Sequence, residues 1–143
     1  MIGFREIKHT ADIGLDISAN TIENLFGFAL SGYYKLVLSD DYSYKAVKDF
    51  SYTADEEDCE NLLISFLSEI NFLLMVKYQI IKSVRSIKIE KKDNRYVMVF
   101  KSKLTTLTNP SKHIETEIKA VTYHQLKIAE ENGIFKTKIF FDT

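Results

Sequence analysis

"DIGLDISANTIENLFGFALSGYYKLV", residues 12–37, changes its hydrophobic period half-way along. Up to Ala19 the apolar residues fall at every second position. Ile7, Ala11, Ile13, Leu15, Ile17 and Ala19 share one side, and Lys8, Thr10, Asp12, Asp16 and Ser18 share the other. A period of two puts alternate side chains on opposite faces of a strand, so residues 7–19 predict one half-buried strand. From residue 21 the period lengthens. Ile22, Leu25, Phe26, Ala29, Tyr33, Leu36 and Val37 recur at helical spacing, predicting an amphipathic helix over residues 21–38. Asn20, with Glu23 three residues on, is the expected N-cap. A strand running straight into a helix cannot belong to an all-α or all-β chain.

The same switch recurs downstream. A strand through Phe50 and Tyr52 precedes a second helix predicted over residues 55–77, with Cys59, Leu62, Leu63, Phe66, Leu67, Ile70, Leu73 and Leu74 as its apolar stripe. Thr53 and Glu56 read as its capping box, and Asp55, Glu56, Glu57 and Asp58 suit the positive end of its dipole. "SVRSIKIE" (83–90) and "RYVMVFKS" (95–102) flank Lys92, Asp93 and Asn94 as a hairpin. "EIKAVTYHQLKI" (117–128) and "FKTKIFFD" (135–142) flank the turn signal Asn132–Gly133 as another. Residues 104–113, with Pro110, read as an irregular loop. The sum is an α+β fold: mostly antiparallel sheet covered by two long amphipathic helices, in a single domain over residues 1–143.

Composition narrows the function. A chain of 143 residues, 45% hydrophobic and 27% charged, buries roughly 68–70% of its unfolded surface and needs no staples. Its apolar runs are too broken to cross a bilayer, and Arg5, Glu6 and Lys8 interrupt any secretory leader. One cysteine, Cys59, excludes an internal disulfide and a zinc cluster; on the helical stripe it reads as core, and a cytoplasmic setting fits. A net charge of −1 gives no overall basic field for DNA or RNA, so any RNA is expected to be held through a partner.

No phosphate loop, nucleophile elbow or H-E-x-x-H motif occurs. The remaining candidates are His9 and Asp12 in "KHTADIG", Lys119 and His124 in "EIKAVTYH", and Asp142 with Thr143 at the end of the sequence. Asp12 reads either as a carboxylate at a bend or as half of a site, and Asp142 either as a solvated residue or as the other half. Lys119 and His124 have opposite strand parity and meet only across a bulge. If Asp12 and Asp142 do meet, their hard oxygens suit Ca²⁺ or Mg²⁺.

"HTADIGLDISANTIENLFGFAL", then "EIKAVTYHQL", then "IFFDT" resemble the archease family over essentially the whole chain. The resemblance implies an accessory protein of the RtcB-type RNA ligase, which joins RNA ends in tRNA splicing and repair with GTP and Mn²⁺. An archease promotes guanylylation of that ligase and its multiple turnover, and is not itself an enzyme. The resemblance further implies a calcium site at the motif aspartate and the last two residues, here Asp12, Asp142 and Thr143, with tRNA or other RNA contacted through the ligase. The family's Gly-Glu pair has no counterpart in "KSKLTTLTNPSKHIETE" (101–117), where His113 is the matching histidine. The rival expectations are a stand-alone metal-dependent hydrolase or nucleotide-processing enzyme, with His124 as acid or base, and a chaperone-like binding module.

Overall fold

A computed structural model describes residues 1–8, 12–123 and 125–143. Its strands and helices follow the order β1 (Gly3–Lys8), β2 (Asp12–Ala19), α1 (Ile22–Val37), β3 (Lys48–Glu56), α2 (Cys59–Met75), β4 (Gln79–Lys92), β5 (Arg95–Thr106), α3 (Pro110–His113), β6 (Ala120–Thr122), β7 (Ala129–Glu131) and β8 (Ile134–Asp142). The fold is α+β, with two antiparallel sheets, two long helices and a single-turn third. One sheet has the order β1-β2-β8-β6, with β7 also on β8; the other has the order β3-β5-β4. Among the described residues, no helix is long and apolar enough to cross a membrane.

The helices lie between the sheets. Tyr33 of α1 meets Phe141 of β8 at 5.8 Å between ring centroids. Phe26 of α1 stacks on Phe66 of α2 at 5.9 Å, and Phe66 meets Phe100 of β5 edge-on at 5.0 Å. Five buried aromatic rings thus link one sheet to the other through both helices. Pairs in such tilted and offset geometry add about 0.5–1.5 kcal/mol each beyond their buried area.

Several boundaries differ from those the sequence predicts. The strand expected over residues 7–19 is two strands: β1 folds back on β2, with Gly3 opposite Ser18 and Lys8 opposite Ile13. Thr21, not Asn20, caps α1; its Oγ1 accepts the Asn24 N–H at 3.0 Å. Helix α2 starts at Cys59 rather than at residue 55. Thr53 and Glu56 form no capping box, because β3 runs through them and pairs them with Val99 and Tyr96. The cap is Asp58, whose carboxylate accepts the Asn61 N–H at 2.7 Å. The Asp93–Asn94 turn is as expected, with φ of 50° and 65° at those residues.

The strand expected over residues 117–128 survives only as β6. Ala120 faces Asp142, and continuing that register would bring Leu126 to Lys136; Ala129 occupies that place instead. Residues 125–128 lie off the sheet, with a Leu126 N–H to Tyr123 C=O hydrogen bond of 3.1 Å and the Thr137 hydroxyl donating to the Lys127 C=O at 2.8 Å. Leu126 and Ile128 still pack against the core. Residues 104–113 are less irregular than expected. Leu104–Thr106 complete β5, Leu107 bridges Tyr44, and Pro110 opens α3 at its first turn, where its missing N–H costs nothing.

Candidate functional site

Strand β8 lies between β2 and β6, and its register sets the site. Asp12 is directly opposite Asp142, and Ala120 is directly opposite Asp142 on the other side. Directly opposed residues sit about 4.5–5.5 Å apart at Cα and send their side chains to the same face. That face is the outer one. Leu15, Ile17, Ile139 and Phe141 are buried on the inner face, so Asp12 and Asp142, of the other parity, point away from the core. Asp142 is exposed and Asp12 half-buried. The last strand therefore pairs beside the segment that opens with Asp12, and two carboxylates 130 positions apart in sequence become neighbours.

The next row inward supports this pair. Gly14 lies opposite Phe140, and Phe140 opposite Thr122. A Cβ on Gly14 would meet the Ile139 carbonyl oxygen and the Phe140 ring, each at 2.7 Å. The glycine lets the aromatic ring lie flat against β2, one row below the aspartates. A glycine inside a strand commonly marks such a close approach.

Lys119 joins the site through its backbone. Its N–H donates to the Asp142 C=O at 2.7 Å, and the residue is one of those lining a 580 Å³ hollow between α2 and residues 117–123. Behind it, the Asn71 side-chain amide of α2 donates to the Ile118 C=O at 3.0 Å, and the buried Tyr33 hydroxyl donates to Asn71 Oδ1 at 2.5 Å. Burial raises the Tyr33 phenol far above its ordinary range, with Tyr34 adding to the shift, so it remains a donor. Asn71 is a positioning residue that the sequence reading missed. Its signal was a lone amide beside Ile70, Leu73 and Leu74 on an otherwise apolar stripe.

The other candidates divide. His9 and His124 lie outside the described residues. His113 is buried at the end of α3, with Nδ1 2.9 Å from the Ser39 hydroxyl and 3.6 Å from Asp41, so it ties α3 to the end of α1. Cys59 is half-buried at the start of α2 rather than in the core. Burial first, then Glu60, Asp58 and Glu23, push its thiol up to about 11, which leaves it protonated and unreactive at neutral pH.

The sequence and fold of this chain match known proteins. The model of the archease protein family (MTH1598/TM1083) covers residues 4–143. The chain belongs to the archease family. It is 32% identical over 122 residues to the archease of Pyrococcus furiosus, covering 85% of this chain and 84% of that one. The archease of Methanosarcina mazei is 26% identical over 140 residues, covering 97% and 94%. The solution structure of Methanobacterium thermoautotrophicum protein 1598 superposes with a TM-score of 0.73 at 25% identity over the whole of both chains. A Thermotoga maritima crystal structure, described as an archease and possible chaperone, gives 0.62 at 25% identity over 97% and 96%.

For this archease, the donor chemistry at the carboxylate pair favours a hard cation. Like charges directly opposed on a sheet repel, and among the described residues neither aspartate forms a salt bridge that would offset this. Oxygen donors without nitrogen or sulfur suit calcium or magnesium rather than zinc. Among the described residues no group of three or more His, Cys, Asp and Glu side chains gathers. Among the described residues the oxygens gathered here are those of Asp12 and Asp142, with Thr143 next to Asp142 in sequence, and a calcium shell of about six to eight oxygens would need further donors.

Proposed function

We propose that this archease is the accessory protein of an RtcB-type RNA ligase, promoting ligase guanylylation and multiple turnover in tRNA splicing and RNA repair in the cytoplasm. In this reading Asp12, Asp142 and Thr143 hold a divalent cation, calcium, and present it to the ligase. The observation that carries the reading is the register of β2 and β8, which places the two aspartates opposite one another on an outer face. A cation held there would supply positive charge to the phosphate oxygens of a nucleotide on the ligase. Asp12 and Asp142 fix its position, Gly14 and Phe140 fix theirs, and the Lys119 amide holds the Asp142 backbone in place.

A stand-alone hydrolase is less well supported. Such an enzyme needs a concave site converging on its carboxylates. The hollows of 580 and 590 Å³ are lined from α2, from Val76 and Tyr78 just after it, and from residues 110–123, and among the described residues neither includes Asp12 or Asp142.

The test is ligase guanylylation over several turnovers with wild type, Asp12→Ala, Asp142→Ala and Lys119→Ala, beside calcium titrations and melting curves. Each aspartate variant is expected to lose at least about tenfold in calcium affinity, because hard-cation sites depend on ligand charge. Each should also lose stimulation of the ligase. Melting without metal should stay level or rise slightly as repulsion is relieved. Full stimulation by folded Asp12→Ala and Asp142→Ala would overturn the proposal.

A further inference from the structure

Charge is unevenly shared along the chain. The β4–β5 hairpin, Gln79–Thr106, holds eight of the 19 Lys and Arg residues but only Glu90 and Asp93 of the 20 acids. It carries a net +6, and since the whole chain is −1, the remainder carries −7.

The outer face of the β3-β5-β4 sheet collects this charge. Asp49, Lys103 and Ser83 form one row across it, Ser51, Lys101 and Ser86 the next, and Thr53, Val99 and Lys88 the third. The acids on this face are each held. Asp49 accepts from Lys103 at 2.9 Å, Asp55 from Arg95 at 2.6 Å, and Glu90 lies 3.6 Å from Lys92. Among the described residues, Arg85, Lys88 and Lys101 have no salt bridge and are exposed. The register of β4 slips twice, and the residue skipped at each slip is a cation, Lys82 and then Arg85. Such bulges re-aim a side chain. Lys82 lies over the Tyr44 ring, 4.6 Å from its centroid, and Tyr44 is 46% exposed at the end of the patch.

We infer that this face binds single-stranded RNA directly, with Arg85, Lys88 and Lys101 on successive phosphates and Tyr44 stacking a base. Exposed cations free of salt bridges on a sheet face, with an exposed aromatic beyond the end of that face, are the parts from which a single-strand platform is built. Ser86 lies on β4 between Arg85 and Lys88, and Ser51 and Thr53 lie on β3 to the far side of Lys101 and Val99; their hydroxyls can donate to phosphate oxygens and meet a 2′-hydroxyl, the group that separates RNA from DNA. The broad face of a sheet does not enter the deep, narrow major groove of duplex RNA. The inference does not depend on the ligase or on the carboxylate pair, which belongs to the other sheet.

The test uses the full chain alone, with fluorescent single-stranded RNA of mixed sequence, single-stranded DNA of the same sequence, and phosphatidylserine vesicles as probes. Three or four neutralised phosphates predict a salt slope of about −2 to −3, or roughly 20- to 50-fold weaker RNA binding on going from about 50 to 200 mM salt. The triple variant Arg85→Gln/Lys88→Gln/Lys101→Gln should bind more than tenfold more weakly at low salt and lose about 2 from that slope. Tyr44→Ala should weaken binding with the slope retained, and Lys136→Gln/Lys138→Gln on the other sheet should change nothing. Absence of RNA binding at low salt, or a folded triple variant that binds like wild type, would overturn the inference. So would equal affinity for the DNA strand, or binding to vesicles in place of RNA.

Discussion

Gly14 is where one atom decides the geometry of the site. An alanine there would press its Cβ on the Ile139 carbonyl, a backbone atom of the paired strand, so β8 would have to shift as a unit. Gly14→Ala should cost about 1–3 kcal/mol in denaturant unfolding, as overpacking does, and should lower calcium affinity without removing a ligand. A Gly14→Ala protein with wild-type stability would mean that the β8 backbone at Ile139 and the Phe140 ring both give way at little cost. Cys59 gives a second check at this scale. Its thiol is held up to about 11 by burial and acidic neighbours. At about pH 8.5, where an ordinary cysteine is half ionised, alkylation of the folded chain should lag that of the unfolded chain. Because the folded value is the raised one, its stabilising contribution is complete below the unfolded thiol's pKa and is lost as pH rises through about 11. Of the site itself, Asp12 and Asp142 were candidates among few once the common motifs were absent, and it was the resemblance of "HTADIG" and "IFFDT" to the archease family that favoured a site over two solvated carboxylates. Their meeting followed only from the metal site that the resemblance implies, since nothing in either segment encodes which strand it pairs with; the register of β2 and β8 bears it out.

At the scale of elements, periodicity located both long helices and the β4–β5 hairpin, and missed by a few residues where two local signals competed. The Thr53–Glu56 pattern has the spacing of a capping box, yet those residues also continue the alternation of Phe50, Tyr52 and Ala54. Pairing with β5 satisfies their backbone along the whole strand, which outweighs a single cap. The corrected cap is testable. Asp58→Ala should lose about 0.5–2 kcal/mol. Thr53→Ala, on the outer face of β3, should lose a few tenths through strand propensity alone. Equal losses from the two would restore the capping box. The segment 117–128 was misread for a different reason. Its alternation is real, but β7 occupies the far half of the same β8 edge, so the middle of the segment is excluded from the sheet. The buried stripe of α2 is scaffold: Leu63→Ala should cost about 2–5 kcal/mol by lost burial and cavity formation, read from thermal and denaturant melts.

At the scale of the whole molecule, the carboxylate pair is wired to the core through Tyr33, Asn71 and Ile118, one residue before Lys119. Asn71→Ala leaves a phenol and a carbonyl without their partner, which costs about 1–3 kcal/mol for each group left buried. Hydrogen exchange at the Lys119 amide should speed up in that variant; unchanged exchange would show that β8 alone holds the segment. The division of charge between the β4–β5 hairpin and the rest has a consequence for how copies of the protein meet in solution. A body with a net charge of −1 has almost no monopole repulsion, but +6 in one hairpin and −7 elsewhere give it a large electric dipole. Dipoles attract when they align head to tail, and salt screens that attraction within about 10 Å at 0.1 M. The osmotic second virial coefficient should therefore be negative at low ionic strength and climb as salt is added, the reverse of the trend for a protein kept apart by its net charge.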